Sequence, residues 1–141
     1  MSNSVCLDAS FVVRLLESTS PDAPAVRLWR QWSAEGRPLV APALLFFEVA
    51  NALHRYVRHG LTRPQTAQAL LGQALRLGIR LYADTDLHLE ALTLARELRL
   101  PAAYDAHYLA LARRLGAECW TADRRLAQTV AGRFPWVHAL T

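Results

Sequence analysis

At 141 residues, 52% of them hydrophobic and with mean hydropathy of +0.08, the chain can bury the core of one compact domain, which excludes disordered and fibrous classes. No apolar run nears the roughly 18 residues of a membrane span, and no basic stretch leads into a long apolar segment near the N-terminus, so a cytoplasmic protein without a signal peptide or membrane anchor is expected. Net charge is +4 and all 16 basic residues are arginine; with no lysine, a Walker A phosphate loop, a Schiff-base enzyme and a receiver-type phosphoacceptor are excluded.

In chain order, Ser4-Val5-Cys6-Leu7 is a short apolar strand that ends at Asp8. A helix over 11–17 follows, broken by Ser18-Thr19-Ser20-Pro21; a second starts near Asp22, carries Trp29 and Trp32 on one stripe, and stops at Gly36. Pro38 and Pro42 bracket the second strand. Residues 43–59 form a very apolar helix closed by Gly60, and Thr62 is the expected cap of the next helix, which runs through Leu70, Leu71 and Leu75 to Gly78. The third strand is 79–82. Helices over 85–99 and 103–115 are separated by Pro101, and Gly116 ends the second of them. Cys119-Trp120 is the fourth strand, 123–131 a short helix, and 136–138 the last strand. Strands alternating with helices imply an α/β domain of three layers over 1–141, with a mostly parallel sheet of about five strands and helices on both faces. Cys6 and Cys119 read as buried free thiols.

Functional groups in such sheets gather beyond the carboxyl ends of the strands. Asp8 directly follows strand one and Asp123 strand four. Each precedes a helix, so capping also explains them, and Asp105 lies in a first helical turn where a carboxylate complements the macrodipole. Glu48 differs: it sits mid-helix within Leu44-Leu45-Phe46-Phe47-Glu48-Val49-Ala50, where it cannot cap anything and, if buried, must be paired, protonated or bound to a cation. Arg55, further along the same helix, is the alternative ion-pair partner, and Asn51 is close enough to share a polar site. Carboxylates converging in low dielectric repel unless a divalent cation neutralises them, and oxygen ligands suit Mg²⁺ or Mn²⁺. The five histidines show no metal-ligand spacing, and His107 is read as a surface or packing residue. An acidic metal site in an arginine-rich, basic chain fits phosphodiester hydrolysis. A haloacid-dehalogenase-type phosphatase is disfavoured, since Asp8 is followed by Ala9 and Ser10.

Asp8-Ala9-Ser10, Glu48-Val49-Ala50-Asn51-Ala52-Leu53, Tyr104-Asp105-Ala106-His107-Tyr108-Leu109-Ala110-Leu111-Ala112 and Trp120-Thr121-Ala122-Asp123-Arg124-Arg125-Leu126 resemble, in order and spacing, the motifs of PIN-domain ribonucleases, in particular VapC-type toxins of toxin–antitoxin pairs. The resemblance spans essentially the whole chain. It implies a five-stranded parallel sheet and a Mg²⁺- or Mn²⁺-dependent endoribonuclease that leaves 5′-phosphate and 3′-hydroxyl ends. Asp8, Glu48, Asp105 and Asp123 match the acidic positions, Asp8, Asp105 and Asp123 as metal ligands and Glu48 as a ligand or water-orienting group. Ser10, Asn51 and Thr121 match polar positions that support them. Arg14, Arg124 and Arg125, near the motif ends, are candidate phosphate contacts. The resemblance further implies a homodimer silenced by a cognate antitoxin. The alternatives are an RNA-processing nuclease of the same fold without an antitoxin, and a non-catalytic RNA-binding or interaction module. The Trp29–Trp32 pair and the Leu70–Leu75 stripe are expected in the core, with an interface as the second reading.

Overall fold

The computed structural model describes residues 2–141. Five strands, β1 (Val5–Leu7), β2 (Leu39–Pro42), β3 (Arg80–Tyr82), β4 (Glu118–Thr121) and β5 (Val137–Ala139), pair in parallel in the order β3-β2-β1-β4-β5. The chain builds outward from β1 in one direction through β2 and β3, then returns to the other side of β1 for β4 and β5. This reversal opens a crevice between β1 and β4 at their carboxyl ends, where parallel sheets bind ligands. Register pairs Leu7 with Trp120, so Asp8 and Thr121 leave the sheet side by side.

Seven helices connect the strands: α1 (Ala9–Glu17), α2 (Pro24–Ala34), α3 (Leu44–Arg58), α4 (Pro64–Leu75), α5 (Asp86–Glu97), α6 (Tyr104–Leu115) and α7 (Arg124–Val130). On one side α6 lies against β1, β2 and β4 with α5 beside it; α1 packs against β4 and against α2, α3 and α4. β1 is flanked by strands and covered by helices, and all three of its residues are buried. An unbroken apolar strand is what such a position requires. Trp32 is buried against Phe11 and Trp120, while Trp29 is only partly buried. Leu70 and Leu71 pack partly against the core and Leu75 is exposed.

Gly116 closes α6 with φ of 62°, a left-handed turn that a side chain would strain. One expected cap is corrected. Thr62 is not at the start of α4; Arg63 holds that place, its side chain makes no capping bond, and Pro64 supplies the preset φ of a first helical residue. Cys6 and Cys119 are buried free thiols on paired strands. Among the described residues, no helix is long and apolar enough to cross a membrane.

Candidate active site

Asp8 begins α1. Its backbone is extended (φ −89°, ψ 171°) and its Oδ1 accepts from the Phe11 N–H at 2.9 Å and from the Ser10 hydroxyl at 2.7 Å. The residue is a helix cap and a site residue at once. Across the crevice, the Ser10 and Thr121 hydroxyls lie 3.1 Å apart; Ser10 Oγ accepts the Ala122 N–H and Thr121 Oγ1 accepts the Asp123 N–H, both at 2.9 Å. These two hydroxyls tie the ends of β1 and β4 together and fix the backbone that presents Asp123. Asp123 in turn caps α7, its Oδ1 accepting from the Arg125 and Leu126 N–H groups at 3.0 and 3.2 Å.

Asp105 resolves differently. It lies in the first turn of α6, but that helix has no side-chain cap, so helix capping does not account for Asp105. Its carboxyl is half-buried and pushed above the ordinary carboxylate range, first by burial and then by the charge of Asp123, with no hydrogen bond to offset either. The same Asp105 charge adds to the burial that raises Asp8, whose pKa stands at about 6 despite its hydrogen bonds, and adds to the burial that raises Glu48. Asp105 therefore takes part of its rise from Asp123 and lends its own charge to the rises at Asp8 and Glu48.

Glu48 projects from α3 and is half-buried, since the helix turns its neighbour Phe47 outward, 76% exposed. Its Oε1 accepts from the Tyr108 hydroxyl at 2.6 Å. The Arg55 ion pair expected as the alternative is not found among the described residues; Arg55 and Asn51 line the cleft outside the carboxylates. Tyr108, 1% exposed, is the functional residue that sequence reasoning missed, and its phenol is held protonated by burial and by the carboxylate it bonds. A buried tyrosine needs a hydroxyl partner, and a tyrosine one turn after Asp105 was the available signal.

The open face is a cleft of about 500 Å³ whose walls include Ser10, Arg14, Glu48, Asn51, Arg55 and Asp123. Arg124 and Arg125 are exposed at the start of α7 and do not line it. His107 faces away to His88, the ring nitrogens 2.9 Å apart, while its Nδ1 lies 2.8 Å from the Ala103 carbonyl; its charge eases the rise at Glu48. Among the described residues, no three carboxylate, imidazole or thiol groups stand near enough to share one ion as placed. Of the four acidic residues, Glu48 and Asp123 line the cleft, while Asp105 is linked by charge to Asp8, Glu48 and Asp123.

Comparison with known proteins accords with this geometry. The PIN domain family matches residues 5–131. Ribonuclease VapC3 of Pyrobaculum aerophilum is 35% identical over 89 residues, covering 60% of this chain and 66% of that protein, so the match spans a little under two thirds of the relative's length. Among solved structures, PAE2754 of Pyrobaculum aerophilum superposes with a TM-score of 0.68 at 24% identity, over 89% of this chain and 84% of that one. The Mycobacterium tuberculosis VapC20 toxin, described as cleaving the sarcin–ricin loop, gives 0.64 at 21% identity over 92% and 95%. A toxin–antitoxin complex from Klebsiella pneumoniae gives 0.59 at 19% identity over 98% of each chain. These structures share the fold. With a family match running from β1 to the end of α7 and enclosing all four acidic residues, the chain belongs to the PIN domain family.

Proposed function

We propose that this chain is a Mg²⁺- or Mn²⁺-dependent endoribonuclease and the toxin of a toxin–antitoxin pair. The observation that carries the reading is Asp105, a half-buried carboxyl with neither a cap to make nor a hydrogen bond among the described residues, raised first by burial and then by the charge of Asp123, and adding its own charge to the rises at Asp8 and Glu48. Half-burial without a hydrogen bond disfavours the charged carboxyl, which the N-terminal dipole of α6 offsets only in part and a bound cation would offset fully. The ribonuclease relative and the toxin neighbours support the same activity.

The donor chemistry fits a hard divalent ion: the groups at the crevice are carboxylate oxygens from Asp8, Glu48, Asp105 and Asp123, with hydroxyls behind them. When bound there, the ion supplies an activated water and stabilises charge on the phosphoryl oxygens. The protein supplies orientation. Ser10 and the Phe11 N–H fix the Asp8 carboxylate, Thr121 fixes the turn that carries Asp123, and Tyr108 sets the direction in which Glu48 offers its other oxygen. Arg14 on the cleft wall is placed to meet a phosphate. In-line attack at that phosphorus leaves 5′-phosphate and 3′-hydroxyl ends.

The same reading takes a cognate antitoxin as partner and a homodimer as the working state, for which the exposed Phe47, Leu89, Leu92 and Tyr104 offer apolar surface. The test is cleavage of RNA by purified protein. Cutting is expected with Mg²⁺ or Mn²⁺, with 5′-phosphate product ends, and loss of cutting in chelator and in Asp8→Asn. Undiminished cleavage by that variant overturns the site assignment.

A further inference from the structure

Of the four acidic residues at the strand ends and on α3 and α6, Glu48 and Asp123 line the cleft. Its outer wall is formed by Arg14 and Glu17, from the last turns of α1, and by Arg55 and Tyr56, from the last turn of α3. Arg55 lies seven residues beyond Glu48, which in a helix places it roughly 10 Å farther along the axis. The wall is thus separate from the acidic crevice yet continuous with it.

Its chemistry is the reverse of the crevice's. Arg37, Arg114 and Arg133 are each held by a carboxylate: Arg37 by Glu118, Arg114 by Asp84 and Glu90, Arg133 by Glu97. Neither Arg14 nor Arg55 takes part in an ion pair among the described residues, although Glu17 and Glu48 line the same cleft. Glu48 is engaged by Tyr108, and Glu17 holds the Tyr56 phenol above its ordinary value. Two exposed guanidiniums without an ion pair among the described residues therefore share the cleft wall with the half-buried Tyr56. Guanidinium binds phosphate through paired donors, and an aromatic face stacks on any unpaired base.

We propose that this wall is a subsite for the nucleotide next to the scissile phosphate, in which Arg14 and Arg55 clamp one backbone phosphate and Tyr56 stacks the adjoining base, with Glu17 orienting Tyr56. The inference rests on the ribonuclease reading and adds to it a contact for one unpaired nucleotide. A cleft of about 500 Å³ matches roughly the 300–1,000 Å³ of small-ligand pockets, enough for a splayed nucleotide, whereas a paired base has no exposed face to offer.

The experiment is fluorescence anisotropy of a short labelled oligouridine over a range of salt, in EDTA so that nothing is cut. The Arg14→Ala/Arg55→Ala double variant is expected to bind more weakly, with the slope of log affinity against log salt smaller by about 0.7, the share of one phosphate on a single strand. Tyr56→Ala is expected to lose roughly fivefold or more in affinity with the slope unchanged, and Tyr56→Phe to keep the stacking. A matched RNA duplex is expected to bind wild type and variants alike. Both arginines are exposed, so folding is expected to be intact, with melting curves as the check. Affinity and slope unchanged in the double variant overturn the subsite while leaving the ribonuclease reading standing. Absence of RNA binding by the wild type in EDTA also overturns the subsite, whereas the ribonuclease reading falls only if no RNA is cut with Mg²⁺ or Mn²⁺. Unchanged RNA binding together with lost binding of a hexaglutamate peptide also overturns the proposal, by assigning the wall to an acidic protein partner.

Discussion

Replacing Asp8 with asparagine is expected to stabilise the metal-free protein near neutral pH while abolishing its activity. Asp8 is 4% exposed, and burial raises its pKa from 3.8 to about 6 against the opposing hydrogen bonds of Thr121, Ser10 and the Phe11 N–H. The folded chain thus holds this proton more tightly than the unfolded chain. Stability contributed by the protonated group is complete below about pH 4, falls as pH rises towards about 6, and stays lost above it. At about 1.36 kcal/mol per pH unit the loss amounts to roughly 3 kcal/mol. Asparagine has no proton to lose, and its carbonyl can accept from both Ser10 and Phe11, so the cap survives. The gain expected for Asp8→Asn at about pH 8 is therefore about 1–3 kcal/mol, on the order of 5–10 °C in Tm for a chain of this size. Melting both proteins in EDTA across this pH range measures it. The two curves should converge towards about pH 4, and Mg²⁺ should raise the melting point of the wild type alone. An Asp8→Asn variant less stable than wild type at about pH 8 in EDTA would refute the reasoning, because Asp8 would then serve the fold rather than a ligand.

Three further substitutions probe the surrounding groups. Glu48→Gln should abolish cleavage while holding or raising Tm, since it removes charge from a half-buried site and leaves Tyr108 an oxygen to bond; clear destabilisation with retained activity contradicts this. Tyr108→Phe keeps the buried ring but frees Glu48, so the Mn²⁺ concentration for half-maximal cleavage should rise by about tenfold or more. An unchanged metal dependence would reduce Tyr108 to a packing role. Thr121→Val keeps the shape of a fully buried side chain but strands the Asp123 N–H, and chemical denaturation should show a loss of about 1–3 kcal/mol.

Much of this was legible in the sequence, for reasons that differ by residue. Asp8 and Asp123 follow short apolar strands, and the carboxyl end of a parallel strand is where a crevice forms, so their placement followed from periodicity alone. The neighbour relation of β1 and β4 did not follow. Strand order is set by long-range pairing, and only the observed reversal at β1 brings Ser10 to Thr121. The sequence allowed a cap at Asp8 and Asp123 and a macrodipole role for Asp105 beside a site role, and the structure divides them: Asp8 and Asp123 do cap their helices, whereas Asp105, in the first turn of α6, makes no cap. Glu48 was singled out because a mid-helix carboxylate in an apolar run needs a partner. The partner came from α6 rather than from its own helix, because Tyr108 crosses the crevice to it while Arg55 lies two turns along the axis. Thr62 was misplaced because Pro64 fixes the helix start from within, where no side-chain cap is needed.

If the crevice carboxylates act together on a divalent cation, Asp105 is the group that couples them. Calorimetric titration of the metal-free protein with Mn²⁺, wild type against Asp105→Asn, tests it most directly. Saturable binding by the wild type is expected, with release of protons from the raised carboxyls as metal binds and an affinity lower by at least about tenfold in the variant. Equal Mn²⁺ affinity in the two proteins, or no saturable binding in either, would contradict it.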